Sequence, residues 1–137
     1  MCGICGIVRF DGEQVAAGAV ERACATLRHR GPDQTGVWVE PNHGIAFGAT
    51  RLKVLDPSFK ADQPLHHDTG RFHLVYNGEI YNFRELRDEL IVSGERFVTD
   101  GDTEVVLAAC VRWGVGAFSR FNGMWALAFY EDRKSVV

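Results

Sequence analysis

Short apolar runs and helically spaced apolar positions alternate along this chain, separated by compact polar breaks. Ile4 to Phe10 is an apolar run closed by Asp11-Gly12, which predicts a buried strand. Val15 to Leu27 places Ala16, Ala19, Val20, Ala23 and Leu27 on one face of a helix. Arg28-His29-Arg30-Gly31-Pro32-Asp33 ends that helix, because glycine followed by proline is a strong stop. Val37-Trp38-Val39, Ile45 to Leu55 and Phe72 to Tyr76 predict strands; the second breaks near Asp56-Pro57 and the third runs into Asn77-Gly78. Phe83, Leu86 and Leu90 fall at i, i+3 and i+7, so Asn82 to Val92 reads as an amphipathic helix capped by Gly94. Asp102-Thr103-Glu104 opens a further helix, Val105 to Trp113, which Gly114 stops. Met124 to Tyr130 is a continuous apolar run and predicts a strand buried on both faces. Glu131-Asp132-Arg133-Lys134 reads as a hairpin turn, and Ser135-Val136-Val137 as a strand just starting. The mixture of strands and helices predicts an α+β fold with largely antiparallel sheets. A strand starting at the last residues also suggests the front part of a longer protein.

Composition narrows the class without naming it. The chain has 137 residues, with 15 basic and 18 acidic side chains and a net charge of −3. That length fits one domain, residues 1–137, with enough chain for a real core. The acidic balance argues against a nucleic-acid partner, whose binding surface is normally basic. No apolar run approaches the roughly 18 residues of a membrane span. The first residues lack a basic segment followed by a long apolar one, so no signal peptide is visible. Four cysteines without such a signal suggest reduced thiols and a cytoplasmic protein. The 15 glycines against 4 prolines fit tight turns between real elements.

Candidate chemistry begins at Cys2. Removal of Met1 would leave Cys2 with a thiol and a free α-amine on one residue. The thiol ionises at about 8.5 and the amine at about 7.7–8.0 in model compounds, so one can act as nucleophile and the other as base. Amides and esters are the substrates such a thiol attacks. Cysteine at position 2 is also a common accident. Cys2-Gly3-Ile4-Cys5 is a Cys-x-x-Cys, but Cys24 and Cys110 form no second pair for zinc, and the motif precedes a strand rather than opening a helix. No metal site is expected.

Several stretches together resemble the N-terminal glutamine amidotransferase (glutaminase) domain of the asparagine synthetase family. These are class II amidotransferases of the N-terminal nucleophile hydrolase type. The stretches are Met1-Cys2-Gly3-Ile4-Cys5-Gly6, Arg28-His29-Arg30-Gly31-Pro32-Asp33, Thr50-Arg51-Leu52, Gln63-Pro64, Tyr76-Asn77-Gly78-Glu79-Ile80-Tyr81-Asn82, Asp102-Thr103-Glu104 and Phe121-Asn122-Gly123-Met124. They occur in the family's order across the whole chain. The resemblance implies an αββα sandwich of antiparallel sheets, with its final strands missing here.

The resemblance also implies a reaction and a set of roles. The Cys2 thiolate would attack the side-chain amide of L-glutamine, ammonia would leave, and water would release glutamate. The oxyanion donors would be the Asn77 side chain and the Gly78 backbone N–H, an arrangement that raises rates because the donors are preorganised. Asn-Gly is equally a type I′ hairpin turn, although only Glu79-Ile80-Tyr81 separate it from the next helix. Arg51 would fork onto the α-carboxylate, a task suited to guanidinium; otherwise it is a surface arginine at a strand end. Asp102 would pair with the α-ammonium, or cap the helix that follows, or both. Leu52, Val54, Leu55 and Glu79 would line the same pocket. Arg28 to Asp33 would form a loop around it. His66-His67 reads as a solvated loop pair without a catalytic task.

This chain departs from the family pattern at Asp62, where histidine is common, at Gln34-Thr35-Gly36, and at Gly101, where serine is usual. The Ser-Gly-Gly-x-Asp-Ser pyrophosphate loop of the synthetase domain is absent, as is a Walker-type phosphate loop. No cofactor is therefore expected in this chain, and ATP and Mg2+ would belong to a missing synthetase domain, expected in the same full-length polypeptide. Ammonia would be passed there for asparagine formation from aspartate. A relative with a different acceptor and a catalytically idle regulatory domain are the competing functions. A homodimer is compatible with the sequence.

Overall fold

A computed structural model describes residues 2–40 and 42–133. Met1, and the strand expected at Ser135-Val136-Val137, lie outside the described residues, as does Lys134 of the expected turn. The elements run β1 (Gly3–Val8), α1 (Ala17–Leu27), β2 (Gln34–Glu40), β3 (Ile45–Arg51), a 3-10 turn (Phe59–Ala61), β4 (Leu65–His66), β5 (Phe72–Ile80), α2 (Phe83–Val92), α3 (Asp102–Trp113), a second 3-10 turn (Gly114–Arg120) and β6 (Gly123–Glu131).

Among the described residues, two three-stranded sheets result, ordered β1-β3-β2 and β4-β5-β6, and every pairing is antiparallel. Successive side chains of a strand point to opposite faces, so each strand feeds two layers. On β3, Ala46 packs with Val20 and Cys24 of α1, while Phe47 and Ala49 pack with Val75 of β5 between the sheets. On β5, Leu74, Tyr76 and Ile80 face α2 and α3, where Leu86, Leu90, Val105, Val106 and Ala109 complete the largest core. The order of layers is therefore helix, sheet, sheet, helix. The α+β sandwich of antiparallel sheets expected from the sequence is what the chain forms.

Several boundaries differ for identifiable reasons. β3 stops at Arg51 instead of running to Leu55, because Arg51 turns to bind the loop that follows it. β5 continues through Asn77-Gly78 to Ile80, so these residues form no hairpin turn; they pair with Ala126 and Trp125 of β6. β6 is not buried on both faces: Met124 is 72% exposed, and the strand has a partner only in β5 among the described residues. Asp132 continues that pairing through its N–H to the Arg71 carbonyl, in place of the expected turn.

His66 is a second correction. It lies in strand β4 opposite His73, with Nδ1 to Nδ1 at 2.7 Å, and not in a loop, although it stays exposed to solvent as expected. His73 stacks on Trp38 of β2 with ring centroids 4.0 Å apart, which ties one sheet to the other. Partial desolvation of His66 and burial of His73 lower the basicity of both imidazoles, and for His73 the neighbouring His66 adds to it.

Candidate active site

Strand alternation and the stacking of the two sheets bring three of the expected residues together. Ile4 packs between the sheets, and Cys2 stands two residues earlier, just ahead of β1, on the same alternation. Arg51 shares it with Phe47 and Ala49 on β3, and Asn77 shares it with Val75 on β5. Gly3 pairs with Thr50, which sets Cys2 beside the end of β3. At this end the sheets part around a cavity of about 240 Å3. Its walls include Cys2, Arg51, Leu52, Val54, Leu55 and Asp56. Asn77, Gly78, Glu79 and Asp102 close the other side. Every residue expected at the site from the sequence lines this one cavity.

Cys2 is half-buried, and its thiol reaches toward the Leu52 carbonyl at 3.9 Å. Its own carbonyl accepts a 3.0 Å hydrogen bond from Arg30 Nε. The loop carrying Arg30 is pressed against β3. A side-chain carbon at Gly31 would overlap the Thr50 carbonyl, which explains the glycine. Asp33 seals the contact: its N–H donates to the Arg51 carbonyl, and its carboxylate accepts the Lys53 N–H. Cys24 and Cys110 are poorly placed as nucleophiles. Burial pushes the Cys110 thiol up to about 11, and burial with the adjacent Cys5 thiol pushes Cys24 up to about 12.

Arg51 is buried, with 6% exposure, and is no surface arginine. Nη1 donates to the Ser58 carbonyl at 3.1 Å and to Asp62 Oδ1 at 3.0 Å, and Nη2 donates to the Asp56 carbonyl. Three of the five guanidinium N–H groups are so engaged, and Nε has no partner among the described residues. Lys53 also binds Asp62, at 3.1 Å. Asp62 therefore anchors two cations beside the cavity.

Asp102 does not cap α3. It is the first helical residue, Gly101 precedes it as the cap position, and Oδ2 turns instead to β5. There it accepts the Tyr76 hydroxyl at 2.8 Å and the Ile80 N–H at 3.0 Å. Burial, then the Asp102 charge, pushes the Tyr76 phenol far above its ordinary range, so Tyr76 remains a donor. Oδ1 of Asp102 has no hydrogen-bond partner among the described residues, and the residue lines the cavity.

Gly78 is demanded by β6. An added carbon there would lie 2.6 Å from the Met124 carbonyl oxygen and from two Trp125 carbons. Close approach of a neighbouring strand is what the structure records at this glycine.

Three contributors were invisible to local sequence reading. Gln63 pairs its side-chain amide with the Tyr76 backbone like one more strand residue, at 2.9 and 2.7 Å, and its own backbone is held by the Gln34 amide. Tyr76 supports Asp102, and Asp56 ties two loops. Gln63 and Tyr76 carried a visible signal only as members of motif stretches, and Asp56 carried none beyond a strand break. No cluster of three or more metal-ligating side chains occurs among the described residues. No helix among them is long and apolar enough to cross a membrane.

Comparison with known proteins fits this geometry. The sequence pattern of a family described as "glutamine amidotransferase domain" matches residues 1–137. Asparagine synthetase (glutamine-hydrolyzing) 3 of Bacillus subtilis strain 168 is 35% identical over 140 residues, covering 100% of this chain and 22% of its own length. Asparagine synthetase B (glutamine-hydrolyzing) of Escherichia coli strain K12 is 36% identical over 140 residues, covering 99% of this chain and 24% of its own. Among solved structures, the glutamine phosphoribosylpyrophosphate amidotransferase from B. subtilis, complexed with ADP and GMP, superposes with a TM-score of 0.76. It is 20% identical and covers 93% of this chain and 35% of that one, so it speaks to the fold alone. The chain spans between 22% and 29% of the length of the first curated relatives it matches.

Proposed function

The chain belongs to the glutamine amidotransferase domain family, and from that premise we propose that its cavity hydrolyses L-glutamine through Cys2. The observation that carries the reading is the convergence, in one cavity, of a thiol, a cation, a carboxylate and an amide from distant parts of the chain. Glutamine needs each of them. Its α-carboxylate suits Arg51, whose Nε side is unengaged. Its α-ammonium suits Asp102 Oδ1. Its side-chain amide then points toward Cys2 and Asn77.

After removal of Met1, the α-amine of Cys2 takes the thiol proton, and the sulfur attacks the amide carbon. Asn77 Nδ2 and the Gly78 N–H stabilise the tetrahedral oxyanion, and removing one donor of this kind costs about 2.7–4 kcal/mol. Collapse breaks the carbon–nitrogen bond, and the leaving nitrogen takes the proton to depart as ammonia. Water then cleaves the thioester, giving glutamate and the free thiol. Leu52, Val54 and Leu55 wall the cavity on one side and Glu79 on the other.

For the whole protein we propose delivery of ammonia to a synthetase domain for asparagine formation from aspartate, where ATP and Mg2+ would act. The long curated relatives named for that reaction support this reading. A cytoplasmic setting accords with free thiols at all four cysteines. The test is intact mass before and after a diazo-ketone analogue of glutamine. Loss of Met1 and one covalent adduct, both adduct and glutamine hydrolysis vanishing in Cys2→Ala, are expected. A Cys2→Ala protein that releases glutamate at the parent rate overturns the proposal.

A further inference from the structure

Arg51 ends β3 and Asp102 begins α3, so the parts proposed to read the two charged ends of glutamine belong to segments far apart in sequence. Their spacing must match the short distance between an α-carboxylate and an α-ammonium on one carbon. A single buried residue bridges the two segments. Asp56, 6% exposed, holds three partners. Its carbonyl accepts from Arg51 Nη2, its Oδ1 accepts the Ser58 N–H at 2.8 Å, and its Oδ2 accepts the Asp100 N–H at 2.8 Å. The last is the only hydrogen bond among the described residues that joins the 52–58 loop to the segment leading into Asp102.

The far side of that segment is already fixed. Arg87 on α2 donates to the Thr99 and Gly101 carbonyls at 2.7 and 2.8 Å. Glu104 accepts the Val98 and Thr99 N–H groups and the Thr99 hydroxyl. The segment is thus anchored to the helices at its back, and Asp56 registers the Arg51 loop against its front. A buried carboxylate accepting two backbone N–H groups is held ionised, and the Ser58 and Asp100 bonds do keep Asp56 below the usual carboxylate range.

We propose that Asp56 is a positioning residue that sets the distance between the Arg51 and Asp102 readers, and so selects ligands carrying both charges on one carbon. The inference rests on the glutamine reading of the cavity. Its signature is non-additivity, because spacing matters only when both ends are bound at once.

The test compares glutamine with two single-ended amides: glutaramate, which lacks the α-amine, and 4-aminobutanamide, which lacks the α-carboxylate. In Asp56→Ala the KM for glutamine is expected to rise about 10-fold or more, as for loss of a hydrogen bond to a charged group. Its kcat should change less than about threefold, and the two single-ended amides should lose little. Asp56→Asn keeps the shape but replaces one accepting oxygen with a donor, and should fall between; it also serves if the alanine variant does not fold. Cys2 alkylation by iodoacetamide without glutamine should proceed at the parent rate in both variants. An equal loss for all three substrates, or no change in the KM for glutamine, overturns the inference. A parent protein that neither hydrolyses glutamine nor takes up the diazo-ketone removes the glutamine reading itself, and this inference with it.

Discussion

Between the second sheet and its helices, Leu74, Ile80, Leu90, Val105, Val106 and Ala109 are buried to 1% exposure or less, and all are apolar. At the open end of the two sheets the buried residues are instead Thr50, Arg51, Asp56, Gln63, Thr99 and Asp102. The first region is held by area and packing, which act without direction. The second is held by named donors and acceptors, and no side-chain polar atom that is sealed from solvent among the described residues lacks a partner. The difference teaches where this molecule tolerates change. The apolar layer answers to volume, so it accepts similar shapes. The polar end answers to single atoms, so an isosteric swap there can erase a function while the fold persists.

Truncating the apolar layer should have the largest effect on stability. Leu90→Ala is expected to cost about 2–5 kcal/mol in denaturant unfolding, through lost contacts and a residual cavity, while the glutamine KM of the folded fraction stays near the parent value. A KM shift as large as the stability loss would erase the contrast between the regions. Asp102→Asn should do the reverse. The amide oxygen still accepts from Tyr76 and Ile80, so unfolding should barely move, but loss of the charge should raise the KM for glutamine about 10- to 100-fold. A variant with parent KM would remove Asp102 from the ammonium site.

The layer between the sheets sharpens the comparison, because it mixes both strategies. His73, buried there against Trp38, meets the exposed His66 of the edge strand β4, and both have lowered proton affinity. The folded state therefore resists protonation that the unfolded chain accepts near its ordinary value of about 6.5. Stability is full above that pH and should decline as pH falls through it toward the lowered folded values. His73→Gln should flatten this slope in Tm against pH; an unchanged slope would assign the acid sensitivity elsewhere. The smallest effect belongs to the surface. Arg120 meets Glu89 at 2.7 Å, but both are substantially exposed. Glu89→Gln should cost less than about 1 kcal/mol and fade with salt.

What the chain states about itself follows the range of the physics involved. Side-chain periodicity is local, so the helices at Ala17–Leu27, Phe83–Val92 and Asp102–Trp113 and most strands are legible from a few adjacent residues. The motif stretches likewise pointed to Cys2, Arg51, Asn77, Gly78 and Asp102, all of which line one cavity. Pattern failed where partners are distant. Met124 to Tyr130 looks doubly buried because apolarity does not say how many strands lie beside it. Asp102 looks like a cap because its true partners, Tyr76 and Ile80, are more than 20 residues away. Asp56 looks like a strand break because its defining bond reaches across 44 residues to Asp100. The sequence by itself determined the elements and the chemical groups. Only the pairing of β1 with β3, the stacking of the two sheets and the docking of α3 decided which polar atoms meet. A hydrogen bond forms within a few tenths of an ångström, and that precision exists only once the whole sandwich is packed.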